Sequence, residues 1–366
     1  MSTAPVSLPR WADVVLLPAL NVGLAFLASG LVVLAIGESP FEATALLLRG
    51  ALGHAEGLGF TLYYTTNFIF TGLAVAVAFH AGLFNIGGEG QAMLGGIGAA
   101  IAALALGALP GIIALPMAIL AAALFGAAWA AIPGWLQAKR GSHVVITTIM
   151  FNFIASALLV YLLVDVFRPT GMMEPSSRVF AAGGKLPFLH DIAASLGIKL
   201  PKSPLNLSFV LALVSALAVW VLIYRSRLGY AIRTVGANPT AARYAGISPE
   251  RITILAMAIS GALAGMMAVN EILGVQHRLL LAFTAGYGFV GIAVALMGRG
   301  HPLGIIFAAL LFGVLYQGGT ELAFDKPNIS RDMIVVIQGL VILFAGALEF
   351  MLKPSLARLL ARKGGA

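Results

Sequence analysis

The sequence predicts an all-α, polytopic integral membrane protein of about ten transmembrane helices, some broken or re-entrant. Three observations carry this. Hydrophobic residues make up 60% of the 366 residues and charged residues 10%, against roughly 25% charged in soluble globular domains. Mean hydropathy is +0.99. Apolar runs of about 17–25 residues, the length that crosses a hydrocarbon core of about 30 Å, recur along the chain.

Those runs are centred in 14–37, 61–81, 92–109, 111–132, 143–166, 206–224, 252–275, 281–298, 302–318 and 333–352. The first is longer than a signal-peptide core of about 7–15 residues and lacks a clear cleavage pattern, so it reads as a retained span. No charge occurs from Ala92 to Ile132. As one helix those roughly 40 residues would reach about 60 Å, twice the core, so Pro110 and Gly111 divide them into two spans. Residues 168–205, with Pro169, Pro187, Pro201 and Pro204, are too polar to span and too interrupted for one helix. They form an extracytoplasmic loop suited to an external partner or to simple connection. The whole chain, 1–366, reads as one transmembrane domain. Gly72–Ala78 and Gly291–Met297 echo one another, but too briefly to establish a repeat.

A formal charge of +8 in so apolar a chain records topology rather than nucleic-acid binding. With the amino terminus inside, thirteen basic residues face four acids on the cytoplasmic side, and nine face ten on the other. Both termini are therefore expected in the cytoplasm. The absence of cysteine excludes disulfides and thiolate chemistry.

Between the second and third runs lies Gly82-Leu-Phe-Asn-Ile-Gly-Gly-Glu-Gly-Gln, which contains Glu89, the one carboxylate between Glu56 and Asp165. A carboxylate near a bilayer is costly, and the glycines permit backbone that a continuous helix forbids, so a broken helix at a solute path explains both. Candidate path residues are Asn67, Asn85, Glu89, Gln91, Asn152 and Ser156, whose amides, hydroxyl and carboxylate can exchange bonds with a polyhydroxyl or nucleobase solute. Asn152 and Ser156 equally suit interhelical adhesion. For Glu89 three roles stay open: capping the start of its own helix, lining an inner gate, or touching solute. Glu271 and Gln276 sit where they reach headgroup water; Phe283 and Tyr287 suit an interfacial belt, and the deeper Phe289 suits packing.

The cytoplasmic segment 225–251 carries a helix cap at Asn238, proline at the first helical position in Pro239, and a terminator at Gly246. They bound a two-turn helix containing Ala241, Ala242 and Arg243. With Arg233 and Arg251 nearby, this compact knob fits a groove on another protein.

The break motif, Arg233-Thr-Val-Gly-Ala-Asn-Pro-Thr-Ala-Ala-Arg-Tyr-Ala-Gly-Ile, and Ala285-Gly-Tyr-Gly-Phe-Val-Gly-Ile-Ala-Val-Ala-Leu-Met-Gly-Arg together resemble the permease subunits of bacterial ABC importers. The resemblance is closest to the branch for nucleosides and simple sugars, related to the ribose and branched-chain amino-acid permeases. It implies a second permease subunit, cytoplasmic ATPase subunits and an extracytoplasmic solute-binding protein, in the bacterial cytoplasmic membrane. It also implies that Arg233, Gly236, Asn238, Pro239, Ala241, Ala242, Arg243 and Gly246 form the segment that meets the ATPase. Ala241-Ala242 followed by Gly246 is similar to the wider Glu-Ala-Ala…Gly coupling motif, with Thr240 in place of the glutamate.

Other chemistries lack their motifs. Gly183-Gly184-Lys185-Leu186 has neither the glycine spacing nor the hydroxyl residue of a phosphate-binding loop, so if nucleotide powers transport another polypeptide must bind it, and the chain is expected to be a transport subunit rather than an enzyme. No metal-ligand spacing and no Gly-x-Ser-x-Gly nucleophile appear, and no cofactor is implied. The alternative is an ion-coupled secondary transporter of small polar solutes, with Glu89 or Glu271 as ion site. A membrane enzyme or scaffold ranks third.

Overall fold

The computed structural model describes residues 16–326 and, beyond them, 9, 12, 328, 329, 333–340, 343, 354 and 356. Thirteen α-helices and no strands occur among the described residues. The charged residues of the two tails that entered the topology argument, such as Arg10, Asp13 and Lys353, lie outside them.

Two compact units emerge, one comprising residues 55–313 and the other the flanking segments. In the flanking unit, α1 (Leu17–Ala35) and α2 (Pro40–Leu52) are bent at 116° from each other. Ser39 caps α2 by accepting the Glu42 amide hydrogen at 3.4 Å, and Pro40 occupies the first position, where its missing N–H costs nothing. Val33 and Ala43 share a core with Leu322, Ile329, Ile334 and Ile337. Lys326 pairs with Glu38 and Glu42, each at 3.1 Å.

The 55–313 unit contains α3 (Ala55–His80), α4 (Gly88–Leu106), α5 (Gly111–Arg140), α6 (Val144–Tyr161), α7 (Leu189–Ser195), α8 (Ser208–Arg225), α9 (Arg227–Ala237), α10 (Pro239–Tyr244), α11 (Pro249–Ala268), α12 (Tyr287–Met297) and the first half of α13 (Pro302–Asp325). A π-helical turn, Leu162–Phe167, extends α6, and a π-helix, Val269–Gln276, continues α11. Burial separates an inner from an outer layer. The most apolar stretch of α3 is 83% buried and that of α11 with its extension 72%, whereas those of α5 and α6 are each 22% buried. The outer helices present apolar side chains such as Ile112, Leu124, Ile146 and Phe153 outward, as lipid requires. The inward face of α5 lies along α4 and α11, and α3 lies along α11 and α12. Ala122, Gly126 and Ala130 of α5 meet Gly261 and Gly265 of α11, a small-residue crossing that lets backbones approach without a water-driven force between them. The two echoing segments are neighbours in space: Gly72 lies against Val294, and Gly291 against Thr71.

Among the described residues seven helices are long and apolar enough to cross a membrane, and up to eight if the bent α1–α2 pair counts as one. The expected span 281–298 differs most. Ala285 (φ 44°) and Gly286 (φ 78°) hold left-handed conformations that stop helix from extending backward, leaving only the 11-residue α12. The tenth run is described only in part, with 333–340 helical. α5 runs eight residues past its expected end at 132, through Pro133, and stops at Gly141 (φ 71°). Residues 168–207 are not a free loop. They hold a 3-10 turn, Ala182–Gly184, and α7, and are fastened to the end of the π-helix and its following turn by backbone bonds from Ser177 to Leu279 (3.0 Å), Phe180 to His277 (2.7 Å) and Leu186 to Leu273 (2.9 Å).

Candidate functional site

After α3 ends at His80, Gly82 (φ 73°) turns the chain through 83–87 into α4. Asn85 organises this break. Its Oδ1 accepts from Gly87 N–H (2.9 Å) and Gln91 Nε2 (3.0 Å), while its Nδ2 donates to Gln91 Oε1 (2.9 Å) and Ser260 Oγ (2.8 Å). Ser260 then donates to the Ala74 carbonyl at 2.6 Å, so α3, the break and α11 are joined through one amide pair and one hydroxyl. Asn152 of α6 accepts from Gly90 N–H (2.9 Å) and donates to the Ile86 carbonyl (3.0 Å). These buried groups satisfy one another, as groups without access to water must.

Glu89 caps a helix other than its own. Its Oε1 accepts from Gly286 N–H at 3.0 Å and its Oε2 from Gly288 N–H at 2.9 Å, so the carboxylate seats on the N-terminus of α12. The first-turn amides there have no partner within their helix, and the helix dipole favours negative charge. Gly288 is required by proximity: any Cβ there would press on the Glu89 backbone.

Asn67 belongs to a second cluster further along α3 and the π-helix. Its Nδ2 and the Tyr63 hydroxyl both donate to Glu271 Oε1, each at 2.6 Å. Asn67 Oδ1 accepts from Asn270 Nδ2 (2.8 Å), and Asn270 Oδ1 accepts from Asn206 Nδ2 (2.9 Å) and Ser208 Oγ (2.7 Å). Glu271 is 3% exposed, so burial among amides replaces the expected contact with headgroup water. Phe283 and Tyr287 are likewise internal, Tyr287 edge-on to Phe68 at 5.5 Å, whereas Phe289 is the exposed one. Gln276 is exposed. Ser156 lies on the exposed face of α6, apart from the other five candidates.

Sequence reasoning missed Tyr63, Asn206, Ser208, Ser260 and Asn270. The available signal was Asn270-Glu271: an ionisable residue in an apolar run demands polar partners, and few polar side chains exist in the other runs to supply them.

At the opposite end of α3, α9 and α10 form an elbow. Ser226 caps α9 by accepting Gly229 N–H at 2.9 Å. Asn238 Oδ1 caps α10, accepting from the amides of Thr240 (2.9 Å) and Ala241 (3.0 Å), and Gly246 (φ 75°) ends it. Ala242 is buried, whereas Arg233, Asn238, Pro239, Ala241, Arg243 and Gly246 are exposed and Tyr244 is 91% exposed. Glu250 pairs with Lys139 at 2.6 Å and with Arg243 at 3.8 Å, tying the elbow to the end of α5. Gly236 of α9 abuts the His80 carbonyl and the Gly82 amide, leaving no room for a Cβ. The elbow and the break are in direct backbone contact.

A helical body with membrane-length spans, internally paired polar groups at a broken span and an elbow at its edge is the architecture of a multi-pass membrane protein. A family profile described as the branched-chain amino acid transport system / permease component matches residues 57–346, and the chain belongs to this family. It is 34% identical to the nucleoside ABC transporter permease protein NupB of Lactococcus lactis subsp. cremoris (strain MG1363), across 95% of each chain. Identity is also 34% to the glucose ABC transporter permease protein TsgB13 of Haloferax volcanii, across 95% of this chain and 91% of that one. The guanosine ABC transporter permease protein NupP of Bacillus subtilis (strain 168) is 34% identical across 91% of this chain and 93% of its own. No solved structure matches the chain.

Proposed function

We propose that this chain is the permease subunit of an ATP-driven importer that carries nucleosides, or related simple sugars, across the bacterial cytoplasmic membrane. Both termini and the 225–251 segment face the cytoplasm, and 168–205 faces outward. An external solute-binding protein delivers cargo, a second permease subunit, such as a paralogue, completes the path, and ATPase subunits bind α9–α10. The cargo class is supported by the relatives, which are permeases for nucleosides, guanosine and glucose.

The observation that carries the mechanism is the abutment of Gly236 on His80 and Gly82. Push on α10 passes through α9 into the turn at which α3 gives way to the break. Because Asn85 and Gln91 join that turn to α11, and Glu89 joins α4 to α12, displacement of the turn moves several helices as one. Such a linked set can alternate between two packed arrangements rather than deform gradually. Asn67, Asn85, Glu89, Gln91 and Asn152 then become available to solute as their mutual bonds exchange.

The test is uptake of labelled nucleoside into vesicles containing the permease pair and its ATPase. Accumulation that requires ATP and the binding protein is expected. Accumulation without ATP that follows a proton or sodium gradient would instead establish an ion-coupled transporter and end this reading.

A further inference from the structure

Glu89 and Glu271 are satisfied differently. Each oxygen of Glu89 receives one backbone amide. Glu271 receives both of its donors, Tyr63 Oη and Asn67 Nδ2, on Oε1, and no donor among the described residues reaches Oε2. Nor does any described cation pair with it. Of the neighbouring amides, Asn270 Nδ2 is engaged by Asn67 Oδ1 and the Tyr63 carbonyl, and Asn206 Nδ2 by Asn270 Oδ1 and the Pro204 carbonyl, while Asn67 Nδ2 spends its bond on Oε1. An ionised carboxylate is acceptor-only, and Oε2 keeps its full capacity to accept from a further donor.

From this geometry we infer that Glu271 Oε2 is a recognition point for hydroxyl donors of the transported solute, the adjacent hydroxyls of a ribose or sugar ring, with Tyr63 and Asn67 as positioning residues. The inference rests on the importer reading above and names a specificity-determining residue within it. Three features fit the role. The cluster lies on a π-helix, a geometry that recurs at functional sites because it redirects side chains out of regular register. Asn206 and Ser208 connect it to the fastened segment 168–207, on the side from which an imported solute arrives. The donors on Oε1 fix the carboxylate plane, so that Oε2 is held in one direction, as discrimination between hydroxylated and deoxy solutes requires. The site is occluded in this conformation, and alternation of the helix set opens it.

The experiment compares wild type with Glu271→Gln in the assembled transporter, in vesicles supplied with the same binding protein. Apparent KM is measured for uptake of inosine, 2′,3′-dideoxyinosine and glucose. Because the binding protein is common to both samples, its own preference cancels. Wild type is expected to favour inosine over the dideoxy compound by on the order of tenfold to a hundredfold, the range for a hydrogen bond to a charged group. In Glu271→Gln, which puts a donor where Oε2 was, that ratio is expected to fall to within about threefold while membrane levels and ATPase association stay normal. A ratio unchanged within about twofold in correctly assembled Glu271→Gln overturns the inference and leaves the importer reading intact. If Glu271→Gln fails to assemble, Glu271→Asp, which keeps the charge but withdraws it by one methylene, decides. A raised KM for inosine with a reduced ratio supports the inference, and wild-type values overturn it. Failure of wild type to carry inosine or glucose overturns the cargo reading itself, and with it the inference, before any variant is compared.

Discussion

Glu89 holds Gly286 and Gly288 from 197 and 199 residues away, closing one end of α12 with both carboxylate oxygens. This arrangement resolves two oddities at once: a carboxylate in an apolar region, and an 11-residue helix whose first amides have no partner within it. The charge stabilises the helix end, and the helix end accommodates the charge.

Glu89→Gln retains one acceptor but turns a donor toward the remaining amide. It is expected to lower stability of the purified permease by about 1–3 kcal/mol. Gly288→Ala is expected to cost a similar amount by forcing α12 away from the Glu89 backbone, about 1–3 kcal/mol for overpacking. Thermal unfolding in one detergent, wild type beside each variant, checks both.

Asn85 and Gln91 form a reciprocal amide pair, so their substitutions should not add. Asn85→Ala removes the partner from both ends of the buried Gln91 amide, Gln91→Ala removes one partner from each end of Asn85, and a double-mutant cycle on thermal stability is expected to give a coupling of about 0.5–3 kcal/mol. Simple additivity would contradict the pair.

The elbow is predicted to act through contact rather than through folding of the membrane body. Gly246→Pro cannot adopt the left-handed angle at the end of α10, and Arg243→Glu reverses an exposed charge beside Glu250. Both should reduce copurification of the ATPase subunit at least about tenfold, a loss of roughly 1.4 kcal/mol, while membrane insertion is unchanged. Unaltered copurification and transport would remove α10 from the interface.

His277 predicts a pH dependence. Burial, aided by the nearby charge of Lys185, holds its pKa below the ordinary value of 6.5, while its Nδ1 lies 3.0 Å from the Leu273 carbonyl. The folded protein thus favours neutral imidazole. Its stability contribution is complete above pH 6.5 and is lost as pH falls through the lower folded-state value. Thermal unfolding measured from pH 8 to pH 5 should decline less steeply in His277→Asn, which tolerates the left-handed φ of 53° at this position.

Local features proved readable because their causes are local. Asn238, Pro239 and Gly246 bound α10 within a few residues, since a cap acts across one turn. The interruption at 82–87 likewise follows from its own glycines. The run 281–298 was misleading because apolar composition marks burial without distinguishing a span from a short helix entered through left-handed backbone. Ser156 illustrates the same limit, since a polar side chain in an apolar run does not declare which way its helix is turned.

The sequence by itself determined that this chain lies in a membrane, where most of its long helices run, where one breaks, and that three ordered motifs place it among importer permeases. Hydropathy and capping are sums over neighbouring residues, and the chain order preserves them. Only the tertiary structure decided that Glu89 serves α12 rather than α4, that Asn67 answers Glu271 across 204 positions, and that Gly236 rests on the turn before the break. In a medium without water every buried polar group must find a partner, but which one it finds depends on how close helices approach, a distance set by small residues packing across the whole bundle.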